Sequence, residues 1–367
     1  MKFSKGNTLI IRKSLIRWFQ KNQRSLPWRK KYDPYEVWIS EIMLQQTQVT
    51  TVLPYFERWM KKLPTIQSVA EAEEDVILKL WEGLGYYTRA RNLQKTARII
   101  MEQFSGHFPD QYDDILKLPG IGKYTAGAIT SIAFNKPYPI VDGNVIRVIA
   151  RLLNFRKNTR LPENVKKFWK WSEELMSHSD TRSFNQGMME LGALICKPQN
   201  PDCPNCPLQK TCKAYEKKTM DRIPDRGEKL KKIPIKVAIA IIKKEGKIFI
   251  QKRPRKGLMG GLWEFPGGKV KKETPKKAIE REINEELGIR IKNIKKIKQI
   301  KHGYTKFSVD LYCYSANFDK GEIKLQTAVD GKWVTPEQLK KYPFPAANVK
   351  LIADITPSPP KAALPLT

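Results

Sequence analysis

Four cysteines crowded into seventeen residues, Cys196, Cys203, Cys206 and Cys212, constrain this chain more than any other feature. A secreted disulfide framework usually ties distant elements together, whereas these thiols share one loop. Their spacing is C-x6-C-x2-C-x5-C, and Pro198, Pro201, Pro204 and Pro207 stiffen the loop so that the thiolates can converge. Four soft ligands in one short loop suit zinc or a [4Fe–4S] cube. Zinc ribbons usually pair two C-x2-C knuckles and only one is present here, which favours iron–sulfur. The fifth cysteine, Cys313, lies in a strand-like run and reads as a buried core residue.

The loop separates two textures. From about residue 8 to 195, apolar residues recur at helical spacing, as in Val52, Tyr55, Phe56 and Trp59, or Ala97, Ile99, Ile100 and Phe104. Pro64 and Pro109 punctuate the pattern, and this half is expected to be all-α. Residues 215–234 are charged and carry almost no apolar periodicity, as an exposed linker does. From 235 the runs VAIAII (237–242), KIFIQKR (247–253) and FSVDLYCY (307–314) read as strands around one helix, an α+β unit. The expected organisation is a helical domain over 1–214 that includes the loop 196–212, a linker over 215–234, an α+β domain over 235–355, and a proline-rich disordered tail over 356–367.

Lysine and arginine number 68 against 37 acidic residues, a net charge of +31 that points to polyanions, nucleic acid ahead of a membrane surface. The apolar runs are too short to span a bilayer, and the basic amphipathic N-terminus has no small-residue cleavage site. The expectation is a monomer in the cytoplasm, associated with the nucleoid and not with membrane.

Two further stretches carry chemistry. Leu118–Ile129, LPGIGKYTAGAI, sets Gly120 and Gly122 in a short turn between helical patterns, leaving backbone N–H groups at a helix start to hold a phosphate. This is a helix-hairpin-helix signature. Glu41, in VWISEIMLQQTQV, is flanked by Trp38, Ile39, Ile42 and Leu44, so it is either desolvated or on a narrow polar face. A desolvated carboxyl has a raised pKa and can act as an acid near neutral pH. Breaking a glycosidic bond needs two carboxyl groups, one to protonate the leaving group and one to face an oxocarbenium-like centre.

The cysteine spacing and the hairpin resemble the endonuclease III branch of DNA glycosylases, and the resemblance covers nearly the whole chain. Within it, SEIMLQQTQV and PIVDGNVIRV are similar to motifs of the MutY family of adenine DNA glycosylases. The resemblance implies that Glu41 protonates adenine at N7 and that Asp142, with Asn144 beside it in VDGNV, stabilises the sugar cation. Bifunctional relatives carry a lysine nucleophile where this chain has Tyr124, and Lys123 projects from another side of the helix, so a monofunctional glycosylase is expected. Gln46, Thr47, Leu84 and Tyr86 resemble the wedge that fills the space of a flipped base. Arg24, Leu26, Trp28, Arg29 and Gln186 resemble the adenine pocket.

In the second half, Gly267, Glu273, Arg281, Glu282, Ile283, Glu285, Glu286, Gly288 and Ile289 fill every fixed position of a Nudix box. Thr274 and Pro275 suit a helix start and Gly288 a stop, so Glu282, Glu285 and Glu286 fall at i, i+3 and i+4 as candidate magnesium ligands. Asn348, in FPAAN, resembles the purine-reading asparagine of MutT-type hydrolases. Tyr304, Thr305 and Lys306 correspond to a segment that contacts oxidised guanine in MutY proteins and commonly ends in histidine, replaced here by Lys306. The expected partner is duplex DNA with adenine opposite 8-oxoguanine or guanine. The alternatives are a fusion whose Nudix domain also hydrolyses 8-oxo-dGTP or a related nucleotide, a glycosylase with lyase activity, and an iron–sulfur DNA-binding protein without chemistry.

Overall fold

The computed structural model describes residues 2–228, 232–303 and 306–356. Tyr304 and Thr305, and the expected tail beyond Thr356, lie outside the described residues. The chain divides into two compact units, Met1–Glu71 with Asn92–Lys229, and Ala72–Arg91 with Leu230–Thr367.

The helices of the N-terminal half run in the order α1 (Lys5–Asn22), α2 (Pro34–Leu44), α3 (Val49–Lys62), α4 (Ile66–Glu71), α5 (Glu74–Leu80), α6 (Thr88–Gln103), α7 (Tyr112–Lys117), α8 (Lys123–Phe134), α9 (Gly143–Leu152), α10 (Pro162–Leu175), α11 (Thr181–Leu194) and α12 (Lys213–Glu216). In the helical unit, α1 buries Ile11, Leu15 and Phe19, spaced four apart on one stripe, against α11. Gly187 allows that approach, because a Cβ there would sit 3.1 Å from Leu15 Cγ. The central helix is α8, whose residues Thr125 to Ile132 are all buried, as a helix packed by neighbours on every side must be. It lies against both α2 and α11. Asp33 caps α2 by accepting from the N–H groups of Tyr35 and Glu36, with Pro34 at the first helical position. Within the expected linker 215–234, Ile223 is buried, and Thr159 N–H donates to the Asp225 carbonyl at 2.9 Å.

The second unit is a mixed sheet of strands β1 (Ile233–Lys244), β2 (Lys247–Lys252), β3 (Trp263–Glu264), β4 (Gly267–Lys269), β5 (Arg290–Gly303), β6 (Phe307–Lys320) and β7 (Asp330–Val334), with helices α13 (Pro275–Leu287) and α14 (Ala346–Ile355). The strand order is β3-β2-β1-β6-β5, with β4 also paired to β1 and β7 to β2. The run VAIAII is continuously apolar because β1 is covered on both faces. Ile239 and Ile241 join the core that contains Leu351 and Ile352 of α14, while Ala238, Ala240 and Ile242 meet Ala278, Ile279 and Ile283 of α13. A two-residue loop joins β1 to β2, and both its residues, Glu245 and Gly246, have positive φ (49° and 74°), the geometry of a type I′ hairpin turn. Thr274, Pro275 and Gly288 bound α13 as their sequence signals predict, with Gly288 in the left-handed region at φ 68°.

The segment 72–91 packs with the sheet unit even though it lies within the helical half of the sequence. Asp75 on α5 accepts from Lys252 Nζ at 2.7 Å and from Trp263 Nε1 at 3.3 Å. Glu74 pairs with Arg255 at 2.6 Å, and Glu82 accepts from the Phe344 N–H at 2.8 Å.

Candidate active site

Three helices of the first unit bring the expected carboxylates together. Glu41 is buried on α2, and the hydroxyl of Tyr124, at the start of α8, donates to it at 3.1 Å. Burial raises the Glu41 carboxyl to about 7; the Tyr124 hydrogen bond opposes the rise, the nearby charge of Asp142 adds to it and that of Arg29 opposes it. Burial likewise holds the Tyr124 phenol well above its ordinary value, with Glu41 and Asp142 reinforcing the effect. Tyr124 also lies 3.2 Å from the Met189 sulfur on α11. Lys123 points elsewhere, its Nζ lying 4.2 Å over the Trp169 ring.

Asp142 is the N-cap of α9, where one carboxylate oxygen accepts from Val145 N–H at 2.7 Å and the other from Asn144 Nδ2 at 3.1 Å. Burial raises its pKa, and these donors act against burial in favour of the anion. The chain of contacts continues: Asn144 Oδ1 accepts from Arg147 Nη2 at 2.8 Å, and Arg147 donates to the carbonyls of Gly192 and Cys196, each at 2.6 Å. Arg151, one turn further along α9, donates to Cys196 Sγ at 3.2 Å and to the Lys197 carbonyl. The cysteine loop is thereby hydrogen-bonded to the helix that Asp142 caps. Neither arginine is marked by a motif, although their i, i+4 spacing on an apolar helix is the signal that could have found them.

All four loop cysteines line one cavity, together with Arg151, Asp202 and Tyr215. Burial pushes the Cys206 thiol up to about 12, with the neighbouring cysteines adding to the rise and a backbone hydrogen bond from Leu208 opposing it. Four soft sulfur donors around one cavity have the donor chemistry of a thiolate-bound metal group.

The expected pocket residues only partly meet. Arg24 and Arg29 converge on Glu190 of α11, at 2.7 and 3.1 Å, and Arg29 Nε donates to Gln186 Oε1 at 2.9 Å. Leu26 and Trp28 are buried, with Trp28 edge-on to Phe56 at 4.9 Å. Burial alone would raise Glu190, but the hydrogen bonds from Arg24 and Arg29 outweigh it and bring the carboxyl down to about 2. Glu190 carries no motif signal in the sequence; its one mark is its place four residues after Gln186. Gln46 has φ 58°, and Thr47 Oγ1 donates to the Gln45 carbonyl at 3.3 Å. In the hairpin, Gly120 has φ 78°, and a Cβ there would meet Asn92 Nδ2 at 2.7 Å. Gly122 begins α8 without a side-chain cap, so first-turn N–H groups are available to an anion.

In the second unit, Leu84 is buried while Tyr86 is exposed with φ 49°. Asn348 is buried in the first turn of α14, and Lys306 is exposed. The Nudix-box glutamates do not act as one set. Arg281 binds Glu273, Glu282 and Glu285 at 2.6 to 2.8 Å. Glu286 instead accepts from Gln251 Nε2 at 3.0 Å, which also reaches Glu264 at 3.4 Å. Among the described residues, no group of three His, Cys, Asp or Glu side chains is arranged to hold a single metal ion.

Residues 39–174 match the HhH-GPD superfamily of base excision DNA repair proteins, and residues 237–354 match the NUDIX domain. Among solved structures, the chain is similar to a thermostable thymine-DNA glycosylase, with 31% identity and a TM-score of 0.53 over 58% of this chain and 98% of that one. An endonuclease III trapped covalently on DNA gives 26% identity and a TM-score of 0.51, over 59% of this chain and 99% of that one. Fold and site together define a base-excision DNA glycosylase joined to a Nudix-type domain. The adenine DNA glycosylase of Buchnera aphidicola (subsp. Baizongia pistaciae) is 44% identical over 71% of this chain and 74% of its own length. That of Homo sapiens is 31% identical over 89% and 70%. The chain belongs to the adenine DNA glycosylase family.

Proposed function

We propose that the enzyme removes adenine mispaired with 8-oxoguanine or guanine in duplex DNA. The observation that carries the reading is Glu41, buried, raised to about 7 and hydrogen-bonded to Tyr124, with Asp142 close enough to influence it. Glu41 gives its proton to adenine N7, and the C1′–N9 bond breaks with its electron pair leaving on the base. The Asp142 carboxylate, kept anionic by Val145 N–H and Asn144, faces the sugar cation until water adds at C1′ and gives a proton back to the Glu41 carboxylate. The products are free adenine and an abasic site. Tyr124 stands where a lyase would need an amine, and Lys123 is held at Trp169, which supports a monofunctional enzyme. Arg24, Arg29, Gln186 and Glu190 line the base pocket, and Tyr304, Thr305 and Lys306 contact the oxidised guanine. Cys196, Cys203, Cys206 and Cys212 would hold a [4Fe–4S] cluster, which supplies rigidity to the loop when bound. Single-turnover adenine release from duplexes carrying adenine opposite 8-oxoguanine, guanine or cytosine tests the proposal. Release from all three at one rate, or retained release in Glu41→Gln, overturns it.

A second reading concerns the sheet unit. Gln251 is 1% exposed, and its Oε1 has no hydrogen-bond partner although its Nε2 lies between Glu264 and Glu286. A buried orphan acceptor beside two carboxylates that burial raises is an environment for a hard cation. Gln251, Glu264 and Glu286 would hold a magnesium ion there, which would offset the charge of a nucleoside triphosphate whose hydrolysis gives a nucleoside monophosphate and pyrophosphate. The full chain with magnesium and 8-oxo-dGTP should release pyrophosphate, and Glu286→Gln should stop it while adenine release continues. No pyrophosphate from the wild type ends this reading.

A further inference from the structure

We infer that β5, the edge strand of the sheet, is a binding strip for the phosphate backbone of duplex DNA. The inference rests on the DNA-repair reading above. Between Arg290 and Lys301 the strand carries six cations, Arg290, Lys292, Lys295, Lys296, Lys298 and Lys301, and no acid. All six are exposed, the Lys292 side chain more than half so even though it is ion-paired. β5 pairs only with β6, so its other edge lacks a strand partner among the described residues. Ion pairing leaves most of this charge unspent: among the described residues, Lys292 pairs with Asp319 at 2.9 Å and Lys298 with Asp354 at 2.7 Å.

The cations leave the strand on both faces. Lys298 reaches Asp354 on α14, whereas Lys296 sits 5.6 Å over the ring of Tyr312, which packs on the α13 side. At its far end the strand meets more positive charge. Lys232 Nζ lies within 3.1 Å of where a Cβ on Gly303 would be, and Lys232 and Lys350 both act, after burial, to lower the pKa of His302. From Lys292 to Lys301 an extended strand spans about 30 Å, at about 3.3 Å per residue. A line of charge that long matches a polymer of phosphates, which each DNA strand presents every 3.4 Å or so, and not a point anion. Lysines also protect sheet edges from pairing with other chains. Here the register shifts at Lys292/Lys295 and Lys296/Lys298 already distort that edge, so protection alone does not call for six cations.

The test uses the full-length protein and an undamaged duplex, with affinity measured between roughly 50 and 200 mM salt. Lys295→Gln, Lys296→Gln and Lys301→Gln combined should flatten the slope of log affinity against log salt by about 2 to 3, at about 0.9 for each phosphate no longer neutralised. Affinity at the low-salt end should fall at least about tenfold. Arginine at the same three positions should keep both values. A monomeric glutamine variant with the wild-type slope overturns the inference, as does a variant that self-associates at low salt while its monomer keeps that slope. Adenine release at saturating enzyme should be unchanged in the glutamine variant. Wild-type protein that shows the strip's salt response but releases no adenine would count against the glycosylase reading and leave the strip standing.

Discussion

Glu41 and Glu190 are both buried carboxyls in the same unit, and their surroundings drive them in opposite directions. For Glu41, the folded value of about 7 lies above the ordinary 4.5, so the folded state binds the extra proton. Its stability contribution is whole below about 4.5, declines as pH rises to 7, and above 7 the fold carries a buried anion at a cost on the order of 3 kcal/mol. Glu41→Gln should therefore raise the thermal midpoint at pH 8 and leave it nearly unchanged near pH 4.5. The same change should slow adenine release by about 10² to 10⁴-fold, measured in single turnover. Glu190 behaves in reverse: held at about 2, it stabilises the fold above 4.5 and loses that contribution as pH falls toward 2. Glu190→Gln leaves two arginines facing an amide and should destabilise by about 3 to 5 kcal/mol in denaturant titration. The wild type's loss of stability between pH 4.5 and 2 should be correspondingly smaller in the variant. Glu41 was legible in the sequence because apolar neighbours surround it. Glu190 was not, because its partners Arg24 and Arg29 lie 166 and 161 positions away.

Where α9 and α11 cross, the helices approach through Gly192. A Cβ at that position would lie 2.6 Å from Asn144 Cβ and 3.1 Å from Asn144 Cα. Gly192→Ala should destabilise by about 1 to 3 kcal/mol, read as a lowered thermal midpoint. Because Asn144 holds Asp142, the variant should also release adenine more slowly while its affinity for undamaged duplex is retained. Most elements were legible where one periodicity governs them: the helical stripes, the runs in β1, β2 and β6, and the capped helix of the Nudix box. β5 was not, because its run of lysines breaks the apolar alternation that marks a strand, and its edge position tolerates that. The parallel pairing of β1 with β6, from Ile233↔Phe307 to Lys243↔Asn317, was hidden for a different reason. Both strands are apolar enough to pair with several others, and in the fold their two faces are covered by α13 and α14.

Across the whole molecule, the division into units does not follow the change of texture in the sequence. Residues 72–91 read as helix among helices, yet their polar contacts run to Lys252, Arg255, Trp263 and Phe344. A chain ended at residue 229 should accordingly be cut by trypsin at Lys79, Arg89 or Arg91, sites that stay protected in the full-length protein under the same limited digestion. Equal protection in the two chains would show that 72–91 does not depend on the sheet for its order.

The same segment bears on how the protein is made. A ribosome releases Ala72–Arg91 long before Leu230, and the intervening Asn92–Lys229 takes on the order of 10 s to synthesise at ordinary rates. During that interval α5 has emerged while the strands it will contact do not yet exist. Asp75, Glu74 and Glu82, which later bind Lys252, Arg255 and the Phe344 N–H, spend the wait in water, where charge keeps the nascent segment soluble. The second unit can close only once its strands have been made, so a stall anywhere in the sheet would leave Ala72–Arg91 without the strands it packs with.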